Sequence, residues 1–154
     1  MIQRTTILLA LLVFVGNIAP LAAQGAMKVN GGNIVLSITT GLAGQQPLSV
    51  VSTATTLTYK RDNVITKITV SSSCPGQDFT LKVLATSVTA GTAAPEVTLM
   101  NGMLAANFVT DIPVKPPTTA TCTLQYTASA TFAQGNSAEL GNDVHTITYT
   151  ILAQ

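Results

Sequence analysis

The chain has 154 residues, of which 47% are apolar and only 8% are charged. This excludes disorder over most of its length, because disordered chains combine low hydrophobicity with high charge. Seven basic against six acidic side chains leave a formal charge of +1, so we expect no nucleic-acid partner. Threonine supplies 25 residues, and β-branched side chains favour strands. The composition therefore predicts a compact all-β protein.

Residues 1–23 are organised like a secretory signal peptide. A single arginine precedes an uninterrupted apolar run at 7–15, and small residues follow it. That run is about half the roughly 20 residues that a spanning helix needs, so we favour a cleaved signal helix over a permanent anchor. We place the cleavage after Ala23, with Ala26 as the alternative. Residues 24–154 would then form one formally neutral domain with no membrane span.

The remainder of the chain alternates strand-like segments with turns. Period-two alternation or β-rich composition predicts seven to nine strands, and no segment shows a persuasive 3.6-residue period. The strand-like segments are residues 34–38, 48–59, 64–73, 79–83, 97–100, 103–112, 122–128 and 144–153. The turns or loops between them are residues 30–33, 44–47, 60–63, 74–77, 91–96, 101–102, 112–119 and 134–143.

Short strands at this spacing predict an antiparallel two-sheet sandwich of the immunoglobulin-like kind. A small closed barrel is the alternative. In the clearest segments the apolar side chains share one face, which should be buried. These one-sided sets are Phe79, Leu81 and Val83, then Cys122, Leu124, Tyr126 and Ala128, and finally His145, Ile147, Tyr149 and Ile151.

The two cysteines, Cys74 and Cys122, both follow the predicted cleavage site. An exported chain meets an oxidising compartment, so we expect them to form a disulfide. Closing a loop of about 48 residues would stabilise the fold by around 4 kcal/mol. Two separate buried thiols are the alternative. A metal site is not expected, because two cysteines and one distant histidine lack the clustered spacing of zinc ligands.

Candidate catalytic residues are few. We interpret the single histidine, His145, as a strand-end residue at the sheet surface or rim. The acidic residues are each isolated in predicted turns or loops, as solvated surface charges; they are Asp62, Asp78, Glu96, Asp111, Glu139 and Asp143. The segment 136–143 could offer oxygen ligands to calcium, but it lacks the EF-hand spacing. No nucleophile elbow, phosphate loop or dinucleotide fingerprint occurs after the signal. We therefore expect neither an enzyme nor a cofactor.

A neutral, charge-poor β domain offers little repulsion to association, and its predicted strand edges lack protective lysines. The leading hypothesis is a non-catalytic structural or adhesive protein, secreted, periplasmic or at the cell surface. One form of it is a fimbrial-type subunit that self-associates through an edge strand, so the expected partner is protein. The alternative is an extracellular ligand- or glycan-binding module that uses loops 60–63 or 134–143.

In overall style the chain resembles bacterial fimbrial subunits and related secreted β-sandwiches. It shares with them an export signal, low charge, one expected disulfide and a terminal alternating strand, although the likeness includes no diagnostic motif. In pilins the first cysteine lies near the mature N-terminus and a tyrosine is next to last. Here Cys74 is the 51st residue after the predicted cleavage, and Tyr149 lies five residues before Gln154. We therefore do not assign the chain to that family.

Overall fold

The computed structural model describes residues 26–39, 44–60, 63–114, 118–134 and 140–154. The predicted signal peptide at residues 1–23 lies outside these ranges and stays a prediction. The described residues form a short 3-10 helix, Phe132–Gln134, and nine strands. The strands are β1 (Met27–Asn30), β2 (Val50–Lys60), β3 (Thr66–Ser73), β4 (Thr80–Thr86), β5 (Thr92–Ala93), β6 (Val97–Leu99), β7 (Ala106–Ile112), β8 (Thr119–Ser129) and β9 (Thr146–Ala153). Within these ranges, no helix has the length and hydrophobicity to cross a membrane.

The strands form two antiparallel sheets. The five-stranded sheet has the order β1-β2-β8-β4-β6, and the four-stranded sheet has the order β5-β7-β3-β9. The sequence prediction of an all-β, two-sheet antiparallel sandwich is therefore confirmed. The edge strands are β1 and β6 in the first sheet and β5 and β9 in the second.

The hydrophobic core lies between the sheets and is built from the inward positions of the alternating strands. Burial removes each of these side chains from water and contributes about 1.5–3 kcal/mol for a large apolar residue. The largest members are Leu57, Tyr59, Val83, Leu99, Leu124 and Tyr126 from the five-stranded sheet, and Ile68, Val70, Phe108, Ile112 and Ile151 from the four-stranded sheet. The predicted one-face alternation is confirmed in β4, β8 and β9.

The segment predicted as the first strand, residues 34–38, belongs to neither sheet. Its alternation is present, because Ile34 and Leu36 pack partly against the core while Val35 is 86% exposed. The first strand is instead β1, which pairs with β2. Gly31 ends that pairing at φ +113°, and a Cβ there would lie 2.8 Å from the Ala54 carbonyl oxygen. The chain leaves the ladder at this glycine, before the apolar alternation begins.

The predicted Cys74–Cys122 disulfide is wrong, since both are buried free thiols. A disulfide needs Cα atoms about 4.4–6.8 Å apart. Cys122 lies in β8, opposite Leu57 of β2. Cys74 follows β3, near the turn into β4. The first residue of β4 pairs with Ser129, at the far end of β8 from Cys122. The seven residues from Cys122 to Ser129 span about 23 Å of strand. Sequence spacing could not show that the two cysteines lie at different positions along the strands of the sandwich.

Free thiols have a direct chemical consequence. We expect the unreduced, denatured protein to react with two equivalents of a thiol reagent per chain. In the native protein burial raises the pKa of the Cys122 thiol from 9.0 to about 11. At about pH 8 its thiolate fraction is then roughly a hundredfold smaller than in the unfolded chain, so its reaction should be slow until denaturant is added. The absence of reactive thiols in unreduced, denatured protein would contradict the structure.

Gly91 allows the close approach of the chain to β7. Its φ is +97°, and a Cβ would lie 2.7 Å from the Thr110 carbonyl oxygen and 2.9 Å from side-chain atoms of Val109 and Ile112. We expect Gly91→Ala to lower the free energy of unfolding by about 2–4 kcal/mol, because strain and overpacking add. Gly102→Ala is the matched control, since φ is +66° and nothing lies within 4 Å; it should cost about 1 kcal/mol. Denaturant unfolding curves measure both, and equal losses would disprove the packing argument.

Candidate functional site

A cleft of about 1080 Å³ opens between the two sheets beside β9. Leu81, Tyr126 and Ala128 line it from the five-stranded sheet. Residues 32–39 line it after β1, and residues 142–147 line it from the start of β9. We call this space the β9 cleft.

Two segments that lack a strand partner on one or both sides border the β9 cleft. One edge of β9 pairs with β3 along eight residue pairs, while its other edge has no strand partner among the described residues. Within the described chain, residues 31–39 pair with no strand and show no backbone–backbone hydrogen bond to another loop or turn. Both segments therefore present N–H and C=O groups that a further strand could pair with.

A pair of tyrosines closes the inner side of the cleft. The hydroxyl oxygens of Tyr126 and Tyr149 are 2.8 Å apart, and the Tyr149 ring lies 5.1 Å from that of Phe108 between centroids. Burial raises the pKa of both tyrosines, so the pair stays neutral and hydrogen-bonded. It links β8 of one sheet to β9 of the other.

Three side chains meet near one end of the cleft, those of Cys74, Asp143 and His145. Asp143 and His145 also form part of the cleft lining. The thiol sulfur, a carboxylate oxygen and a ring nitrogen of these three residues all lie within 4.8 Å of one another. The register of β3 with β9 explains the meeting, because Ser73 pairs with Thr146 and so places Cys74 beside His145. We call this group the Cys74 cluster.

Hydrogen bonds position each member of the Cys74 cluster. The Asp143 carboxylate accepts from the backbone N–H of Phe79 at 2.8 Å and from that of Asp78 at 3.0 and 3.2 Å. Nδ1 of His145 lies 2.9 Å from Ser72 Oγ. The Cys74 N–H donates to Asn101 Oδ1 at 2.9 Å. The β3 end, the turn before β4 and the start of β9 are thereby joined.

One polar atom of the cluster is left without a partner. Nε2 of His145 is buried and has no hydrogen bond within the described residues. Burial lowers the pKa of His145, and the Asp143 charge opposes that effect. Burial, reinforced by the Asp143 charge, raises the pKa of Cys74. These effects favour a neutral imidazole and a protonated thiol beside a carboxylate.

The other acidic residues in the described ranges lie apart from the cluster or contact it through the backbone. Glu96 forms a surface ion pair with Lys82 at 3.1 Å, and Asp111 is exposed. The prediction of solvated acidic residues is wrong for Asp143, whose half-buried carboxylate binds two backbone N–H groups. Asp62 and Glu139 lie outside the described residues, as does part of each predicted binding loop, 60–63 and 134–143.

His145 lies just before β9, at the predicted strand end, but it is half-buried rather than displayed on the surface. The sequence did contain a signal for this burial, because His145 lies two residues before Ile147 and four before Tyr149 and so falls on the same inward face of the alternating pattern. What the sequence could not show was the partner strand. Cys74 and His145 are 71 residues apart along the chain, and only the β3–β9 ladder makes them neighbours.

The chain matches no protein-family model, no curated protein and no solved structure in the comparisons.

Proposed function

We propose that this chain is a non-catalytic structural or adhesive protein, exported to the periplasm, the cell surface or the medium, and that it associates with further copies through the β9 cleft. The observation that carries the proposal is the open edge of β9 beside that cleft. β9 contains no charged residue and no proline, which are the usual devices against strand addition. Such an edge can accept an extended segment through main-chain hydrogen bonds.

The occupant we propose is residues 33–39 of a second copy. This segment has the alternation of a strand, with residues 34, 36 and 38 partly buried and residues 35, 37 and 39 exposed. It nevertheless pairs with no strand within the described part of its own copy. Exchange or addition of an identical element between copies is a low-cost route to association. The neutral charge expected of the processed chain adds no long-range repulsion.

The immunoglobulin-like arrangement and the export signal are part of the same proposal. Nine short antiparallel strands in two sheets support the first. The apolar run at residues 7–15, preceded by one arginine and followed by small residues, supports the second.

Cross-linking between copies tests the proposed occupant. Ser37→Cys and Thr148→Cys place thiols at exposed positions of the segment and of β9, while the native thiols are buried. Mixing the two variants under mild oxidation should give a disulfide-linked heterodimer, because pairing holds the two thiols at a high local concentration. We expect a yield on the order of tenfold above the pair Ser37→Cys and Thr98→Cys. Thr98 is the matched control, since it is exposed on another edge strand, β6. Equal yields from both pairs would reject the β9 cleft as the interface.

Two substitutions compare a position in the cleft lining with an exposed position outside it. Leu36→Asp puts a charge into the cleft lining, so we expect the association constant to fall by on the order of tenfold or more. Leu104→Asp adds the same charge at a position that is 90% exposed and lies outside the cleft lining, so it should leave association nearly unchanged. Light scattering over a concentration series measures both, with melting curves as the check on folding. A parent protein that stays strictly monomeric would refute self-association.

A ligand-binding module is the second candidate. The cleft volume of about 1080 Å³ and the polar residues Asn142, Asp143 and His145 in its lining resemble a small-molecule site, which combines an apolar cavity with a few polar groups. A monomeric parent protein that gives no specific cross-link but retains a glycan or small molecule from an array would favour this function over association.

A further inference from the structure

We propose that the Cys74 cluster binds a divalent transition-metal ion of the zinc class through Cys74 Sγ, an Asp143 carboxylate oxygen and His145 Nε2. All three residues belong to one copy of the chain, so the inference is independent of the association proposed above. It also reverses the expectation from sequence spacing, which treated the cysteines and the histidine as too far apart.

The chemistry of the three donors selects the metal. Thiolate sulfur, imidazole nitrogen and carboxylate oxygen are the three ligand types of zinc, whereas calcium and magnesium take oxygen ligands. Bond lengths of about 2.0–2.3 Å put donor atoms roughly 3.3–3.8 Å apart on a tetrahedral ion. The Cys74 sulfur, an Asp143 carboxylate oxygen and one ring nitrogen of His145 lie within 4.8 Å of one another, so a bound ion would draw the three side chains closer, with Nε2 of His145 turned toward it. A water molecule would complete the tetrahedron.

The unpartnered His145 nitrogen is the second, independent observation. A neutral imidazole has one N–H donor and one acceptor nitrogen. When Nδ1–H donates to Ser72 Oγ across the observed 2.9 Å, the lone pair lies on Nε2, which is buried without a partner in the described structure. Burying an unsatisfied acceptor is unfavourable. Metal-bound histidines usually donate their other N–H to an oxygen, which is the role that Ser72 fills here.

The surroundings of Asp143 also suit a ligand. Its carboxylate is oriented by the backbone N–H groups of Asp78 and Phe79, in the manner of hydrogen bonds that fix metal-ligating carboxylates. The carboxylates of Asp143 and Asp78 both act electrostatically on Cys74. The described residues show one ion pair, Lys82–Glu96, away from this group, so no basic side chain is seen to neutralise Asp143. A divalent cation would do so and would favour the thiolate form of Cys74.

Metal titration of protein obtained by expressing the full chain tests the site. After reduction and removal of metal with a chelator, cobalt(II) should bind stoichiometrically and give a sulfur-to-cobalt charge-transfer band together with the visible bands of a tetrahedral ion. Zinc should displace cobalt and abolish both signals. Because zinc would bind the folded state, a hundredfold excess over its Kd should raise the melting temperature by about 5–10 °C. Absence of the bands and of the melting shift would overturn the proposal.

The second cysteine supplies a matched control. Cys74→Ser should lose the charge-transfer band, while Cys122→Ser should retain it, because Cys122 is equally buried but lies elsewhere in the sandwich. His145→Gln should weaken cobalt binding by about tenfold or more, and it decides the matter if Cys74→Ser does not fold. Circular dichroism and melting curves establish which variants are folded. A band that survives in folded Cys74→Ser, or that disappears in folded Cys122→Ser, would refute the assignment.

Discussion

The antiparallel pairing of β3 with β9 is the constraint on which the rest of the structure depends. Eight consecutive residue pairs join Thr66–Ser73 to Thr146–Ala153 without a bulge. This register turns His145, Ile147 and Tyr149 toward the interior. A slip of one residue would turn all three outward, because side chains alternate with a period of two. The core contacts of Tyr149, the β9 cleft and the Cys74 cluster all follow from this one ladder.

The other edge of β9 pairs with no strand in the described part of the chain, and the neighbouring residues cover it only with side chains. Residues 31–39 bring apolar side chains into the cleft beside it, yet they contribute no ladder hydrogen bonds within the described structure. The side chains of this segment gain hydrophobic burial while its backbone remains unpaired. Further strand pairing would satisfy those backbone groups, and this physical imbalance is the basis for proposing association at the cleft.

Local alternation accounts for most of what could be predicted. Leu81 and Val83 were correctly predicted to lie on the inner face of β4, and Leu124 and Tyr126 on that of β8. The errors have tertiary causes. The strand-like segment 34–38 follows Gly31, where the chain leaves the β2 ladder, and the weakly apolar β1 forms a strand because β2 offers an edge. Cys74 and Cys122 are both buried free thiols, as in the alternative of two separate thiols, and they lie at different positions along the strands of the sandwich.

The sequence by itself determined the all-β character, the inward face of each main strand and the low charge, because these depend on composition and on a two-residue period. Only the tertiary structure decided which edges stay open and which distant residues meet. Those outcomes depend on strand order and register, which join positions as far apart as Cys74 and His145. The sequence presented these two as an expected disulfide partner and an isolated histidine, and the β3–β9 pairing brings them together with Asp143 instead.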